Sequence, residues 1–299
     1  MKKIFLLVLL VVLSNLEANA KLGIDRWNWW LSTVEDSQGH MPYYFCSDFG
    51  KVKGGFNACT VTVYEASVKF GELTPESNPF LRFDILLNDK GKILWYEKEI
   101  WSSSPDGYFN SHRYEQCFLS YDETTGKLLS ETYTTRPTSA GDKEINRKVV
   151  YKYDTSNRLV MIDCYKGSGN TIQWKTKFVY GNGYVDRYEY YSSGELACKT
   201  RDTMDAKGRF WKYTIKESGY NGATRSTTET VTYNEKGVVA KIDGRYTEVV
   251  NGRSSTSTLI RKYDYQYDSN GNWTDRVMSW NGGFMGDEYE WVHCEYYKK

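Results

Sequence analysis

The sequence predicts an all-β fold: a long antiparallel up-and-down meander of β-hairpin repeats, forming a strongly twisted, curled sheet with an N-terminal cap. Three observations predict it. Aromatic residues recur at every second position, turn signals punctuate the chain at short intervals, and the turns fall into two alternating kinds. All three meet in Tyr263-Asp264-Tyr265-Gln266-Tyr267-Asp268-Ser269-Asn270-Gly271-Asn272-Trp273. Side chains of a strand alternate sides, so the three tyrosines share one face. Asp268 can accept a hydrogen bond from a backbone N–H two residues on, and Gly271 supplies the positive φ that a short bulged hairpin needs. Trp273 then opens the return strand.

In chain order, Met1 to Ala20 reads as a cleavable export signal: Lys2 and Lys3, an apolar run from Ile4 to Leu13, then the small residues Ala18-Asn19-Ala20. The apolar run is too short to span a bilayer. Residues 21–80 read as the cap, with the aromatic cluster Trp27-Asn28-Trp29-Trp30, a glycine-rich loop through Gly54-Gly55 and the strand-like Cys59 to Tyr64. Such a cap would cover the unpaired edge of the first strand.

Residues 81–299 read as the hairpin region. One turn series runs Asn88 to Gly91, Asp122 to Gly126, Asp154 to Asn157, Gly181 to Gly183, Asp205 to Gly208, Asn234 to Gly237 and Asp268 to Gly271. Between its members fall Pro105 to Gly107, Pro137 to Asp142, Gly167 to Asn170, Ser192 to Gly194, Gly219 to Gly222 and Asn251-Gly252. Odd and even turns of a meander lie on opposite edges, so the Asp-to-Gly turns should all fall along one. Val149, Tyr151 and Tyr153 share a face, as do Phe178 and Tyr180, and Val231 and Tyr233; Lys148, Lys152, Lys177, Thr230 and Thr232 point the other way.

Tyr-Asp at 121/122, 153/154 and 267/268, each followed by a short turn and then Leu128, Leu159 or Trp273, resembles the YD repeat of the RHS-repeat proteins. The resemblance covers roughly residues 81–280, with looser copies at Tyr233-Asn234, Met204-Asp205 and Tyr180-Gly181. Tyr190 to Leu196 is similar to the MORN-variant repeats of small bacterial proteins. The resemblance implies hairpin strips that wind into a shell at the bacterial cell exterior, without enzymatic activity of their own.

Composition and motifs narrow the function. Lys+Arg 39 against Asp+Glu 38 leaves a net charge of +1, which removes the electrostatic case for nucleic acid. The strand from Arg253 to Tyr267 offers no apolar face to lipid, so a membrane-spanning barrel is not expected. Cysteines at 46, 59, 117, 164, 198 and 294 form an even set that permits disulfides in an exported chain. Cys46–Cys59 is the favoured pair, closing a loop worth about 3 kcal/mol. Asp268-x-Asn270-x-Asn272 has the opening spacing of a calcium loop, but Trp273 and Ser279 stand where glycine and glutamate belong, and turn formation accounts for it.

His112 and His293 are adjacent in sequence to Ser111 and Cys294, which points each pair apart on a strand and argues against a nucleophile with its base. Glu97 and Glu99 read either as a glycosidase-like pair or as a solvated face. Trp27, Trp29, Trp30, Trp273 and Trp280 are candidates for stacking on a ligand, or for filling the inside of the curl. The expectation is a secreted or periplasmic non-enzymatic interaction or structural module at the bacterial envelope, without cofactor or metal. Its partner would be an envelope protein or polysaccharide; the alternative is a glycan-binding protein or glycan hydrolase.

Overall fold

The computed structural model describes residues 52–89, 92–103, 110–135, 145–206, 210–218, 224–281 and 287–298. The strands are β1 (Ala58–Lys69), β2 (Glu72–Pro75), β3 (Leu81–Leu87), β4 (Ile93–Ser103), β5 (Asn110–Tyr121), β6 (Leu128–Thr135), β7 (Ile145–Tyr153), β8 (Leu159–Lys166) and β9 (Ile172–Gly181). They continue with β10 (Tyr184–Tyr191), β11 (Leu196–Met204), β12 (Phe210–Ser218), β13 (Thr224–Tyr233), β14 (Val239–Val250), β15 (Arg253–Tyr267), β16 (Trp273–Asn281) and β17 (Asp287–Tyr297).

Each strand from β3 to β17 pairs antiparallel with the next. The sheet then closes, because β1 pairs with β17 from Ala58↔Tyr297 to Ala66↔Tyr289 on one side and with β3 from Ala58↔Leu86 to Val63↔Leu81 on the other. β2 pairs with the far end of β1 and shares one position with β3, so the ring is a barrel of sixteen strands. The expected open, curled sheet is thereby corrected. An open meander leaves two long unpaired edges, and closure removes both. β1 and β2 fall in the stretch that reads as a cap, yet they are ring strands; Met1 to Lys51 lie outside the described residues.

The same closure overturns the RHS and MORN-variant resemblance as a guide to architecture. Tyrosine-then-aspartate hairpins are present, but in a ring rather than in strips winding into a shell. Their local chemistry explains the pattern. At Asn88, Asp154, Asn234 and Asp268 the side chain accepts the backbone N–H four residues on, at 2.8–3.2 Å. Asn157, Gly237 and Gly271 hold the matching left-handed position, with φ of 65°, 82° and 83°. Before each such turn the ladder slips at a β-bulge, as between Lys152 and Tyr153 and between Gln266 and Tyr267.

The tyrosine before the turn latches onto the preceding hairpin. Tyr121, Tyr153 and Tyr180 donate their hydroxyls to the carbonyls of Ile93, Leu128 and Leu159, each at 2.8 Å. Lys92, Lys127 and Arg158 lie over the same rings at about 5 Å.

A packed core lines one part of the barrel interior. Inward residues from β16 and β17 through β1 to β10 form one core, including Cys59, Val61, Phe83, Ile85, Tyr133, Val149, Ile162, Phe178, Trp273 and Val292. Outward positions on these strands carry Lys148, Lys152 and Lys177, and β11 carries Arg201. The inward tyrosine face follows from this alternation. At the seam, the Cys59 thiol meets Cys294 across β1 and β17, and this contact together with burial pushes the Cys59 thiol far up. Its expected partner Cys46 lies outside the described residues.

Candidate functional site

The residues singled out by sequence divide by their place in the barrel. Trp27, Trp29, Trp30 and Cys46 lie outside the described residues. Trp273 is 3% exposed inside the core, and its carbonyl accepts the Tyr296 hydroxyl at 3.0 Å, so it packs rather than stacks on a ligand. Trp280 stands beside Arg261 in the β15–β16 ladder and is half-buried. Asp268 spends its carboxylate on the turn: one oxygen accepts the N–H groups of Asn270 and Asn272, the other the Asn272 side-chain amide. Among the described residues no group of three His, Cys, Asp or Glu could hold a metal ion.

His293 bonds Asp275 through Nδ1 at 2.8 Å, and Trp291 Nε1 donates to the same oxygen at 2.9 Å. Burial pulls the Asp275 carboxyl up, but these hydrogen bonds outweigh it and hold it below its ordinary value. Cys294 points inward instead, buried beside Cys59, as adjacency on a strand requires. Glu97 and Glu99 alternate with buried Tyr96 and Lys98 and so project in parallel from the outer face of β4. They would meet a sugar from one side, whereas a hydrolytic pair flanks the bond being cleaved.

Inside the barrel lies a polar layer that the sequence pattern did not flag. Glu131 accepts the hydroxyls of Tyr133 and Tyr151, the latter at 2.9 Å, and Arg147 lies 3.7 Å above the Tyr133 ring. Arg187, 1% exposed, donates to Thr200 at 2.9 Å and lies 3.4 Å from Glu189. Glu229 receives both Tyr246 and Arg261. Buried charges persist when paired and hydrogen-bonded in this way.

Glu290, also inward, has its carboxyl pushed well above the ordinary value of 4.5 by burial. Because its folded pKa lies above its unfolded one, its favourable contribution is complete below about pH 4.5 and is lost as pH climbs toward the folded value. The wild-type urea midpoint should therefore fall over that climb, and Glu290→Gln should flatten the fall. Equal slopes in the two proteins would contradict the burial of this carboxyl.

The most distinctive surface is on β15. Arg261 to Tyr267 pair with β16, but Arg253 to Ile260 pair only with β14. Arg253 to Thr258 are exposed on both faces of the strand. Among the described residues, therefore, β15 presents eight residues whose backbone has no partner on the β16 side. Its sequence, Arg-Ser-Ser-Thr-Ser-Thr-Leu-Ile, has no proline and no lysine, the usual guards of a strand edge. The sequence signal was the absence of an apolar face on either side of this stretch: a strand with nothing to bury extends past the core.

No family model matches the chain, which leaves the RHS and MORN-variant identifications without support, and no curated protein matches it either. Among solved structures it is similar to a porin-like protein from Bacteroides uniformis, at 11% identity and a TM-score of 0.38, over 82% of this chain and 98% of that one. A second porin-like protein, from Bacteroides vulgatus, is 11% identical with a TM-score of 0.36, over 79% of this chain and 97% of that one. Closure of the barrel rests on the pairing of β1 with β17 in this chain itself.

Proposed function

We propose that the chain is an exported, non-enzymatic interaction module of the bacterial envelope that captures an extended partner segment by strand addition on β15. The observation that carries this is the run from Arg253 to Ile260, which among the described residues has no partner on its β16 side. Such an edge offers a fixed row of N–H and C=O groups, and a partner strand satisfies them while its alternate side chains read the neighbouring surface. The low charge of the run leaves approach open to partners of either sign.

Among the described residues no helix is long and apolar enough to cross a membrane. A barrel crosses with strands instead, and then its outward positions must form an apolar band. Here those positions include Lys148, Lys152, Lys177, Lys199, Arg201 and Lys262, interspersed among outward apolar residues such as Phe118 and Val179, so that no continuous apolar band forms on these strands. This arrangement supports a barrel that works in water.

The test is a photo-cross-linker at Thr256 in the mature chain, added to the native envelope, with a second cross-linker at Lys148 as a control. Adducts to one envelope protein are expected from position 256 alone. Proline at Ser254 or at Ser255, each combined with the cross-linker at position 256, separates edge from ladder, since adjacent N–H groups point to opposite sides and one of the two belongs to the edge. An adduct that survives both prolines, or none from position 256, refutes strand capture there.

A further inference from the structure

We propose that the outer face of β3, β4 and β5 is a binding platform for an uncharged glycan chain. The site is distinct from the β15 edge and lies across the β1–β17 seam from it.

The outward column of β4 reads Trp95, Glu97, Glu99, Trp101, because Tyr96 and Lys98 between them point inward and are buried. Its cross-strand neighbours on β5 are Phe118 opposite Trp95, Gln116 opposite Glu97, Tyr114 opposite Glu99 and His112 opposite Trp101. Leu86 on β3 continues the row through Trp95 and Phe118. Aromatic rings therefore stand at both ends of a stretch about 20 Å long, at a strand's rise of roughly 3.3 Å per residue. Polar groups fill the middle. Phe118 is 41% exposed, and both tryptophans are half-buried with outward-facing rings.

The polar groups are held in place. Gln116 donates its side-chain amide to Glu97 at 2.6 Å. On β3, Asp84 accepts both the Thr60 hydroxyl at 2.6 Å and the Arg82 guanidinium at 3.0 Å. A face with held acceptors at Glu97 and Asp84 between two ring platforms can bind an extended molecule with little reorganisation.

The chemistry selects the occupant. A lipid surface or an apolar peptide would cover the rings but strip water from Glu97 and Glu99 without replacing its hydrogen bonds. An anionic chain would meet two carboxylates, while the outward Arg82 on β3 is already engaged by Asp84. A neutral sugar chain satisfies both demands: its C–H faces lie on the aromatic rings and its hydroxyls donate to the carboxylates. The length of the platform suits an oligosaccharide rather than a single sugar.

The experiment is native affinity electrophoresis of the mature chain through gels containing laminarin, xylan or mannan, with chondroitin sulfate as the anionic control. At least one neutral polysaccharide should retard the protein and chondroitin sulfate should not. Trp95→Ala and Trp101→Ala should each raise the apparent Kd about tenfold, the scale for losing one aromatic anchor. Phe118→Ala, at an exposed position, supplies a third variant should either tryptophan change perturb folding. Trp211→Ala, at an exposed position on β12, should leave the retardation unchanged. Retardation by none of the three neutral polysaccharides, retardation undiminished in the Trp95/Trp101 double variant, or tighter binding to chondroitin sulfate would overturn the proposal.

Discussion

Trp273→Ala is expected to lower the free energy of unfolding by about 3–5 kcal/mol, the range for removing a buried aromatic side chain and leaving its cavity. The indole is 3% exposed and belongs to the main core, and its residue opens β16 directly after the Asp268 turn. Few neighbours can collapse into the space, because Tyr265 and Tyr267 are held in the adjoining ladder. Urea unfolding followed by tryptophan-independent far-UV signal measures the loss. A change under about 1 kcal/mol would mean that this ring is not packed as described, and would return it to the set of candidate ligand-stacking residues.

The second large effect is expected at Glu131. Glu131→Ala removes the acceptor shared by the hydroxyls of Tyr133 and Tyr151 and leaves Arg147 facing a depleted layer, at a cost of roughly 3 kcal/mol. Glu131→Gln keeps an acceptor in place and should cost much less. Burial raises the Glu131 carboxyl above its ordinary value of 4.5, against the lowering by the two tyrosines and Arg147. With the folded pKa the higher one, the Gln variant should lose least, relative to wild type, at alkaline pH. Equal losses for Ala and Gln across pH would show that the carboxylate is not the hub of this network.

Much of the architecture was legible because each local signal had one structural meaning. Asp154 and Asp268 cap turns, Asn157 and Gly271 take the left-handed position, and Val149, Tyr151 and Tyr153 share a face. Closure was not legible. Nothing in the sequence of β1 or β17 differs from a strand paired on one side only, and the ladder between them is made by backbone groups common to every residue. The inward charges escaped for a related reason: Glu131, Arg187 and Arg276 alternate with outward residues as apolar ones would, and only their cross-strand neighbours reveal that they are buried. The outer aromatic column was half seen. Glu97 and Glu99 stood out as a pair, while Trp95 and Trp101 at the same parity did not.

The seam between β1 and β17 joins Ala58 to Tyr297, residues about four-fifths of the polypeptide apart. During synthesis the N-terminal ribbon must therefore wait for the last one to emerge, and the intermediate holds two sticky margins until then. Rates of self-assembly fall steeply when decisive contacts join distant points of the chain. A molecule truncated before β17 would keep nearly all of its hairpins and still never reach the finished state, so maturation of this barrel is all-or-nothing at its final step.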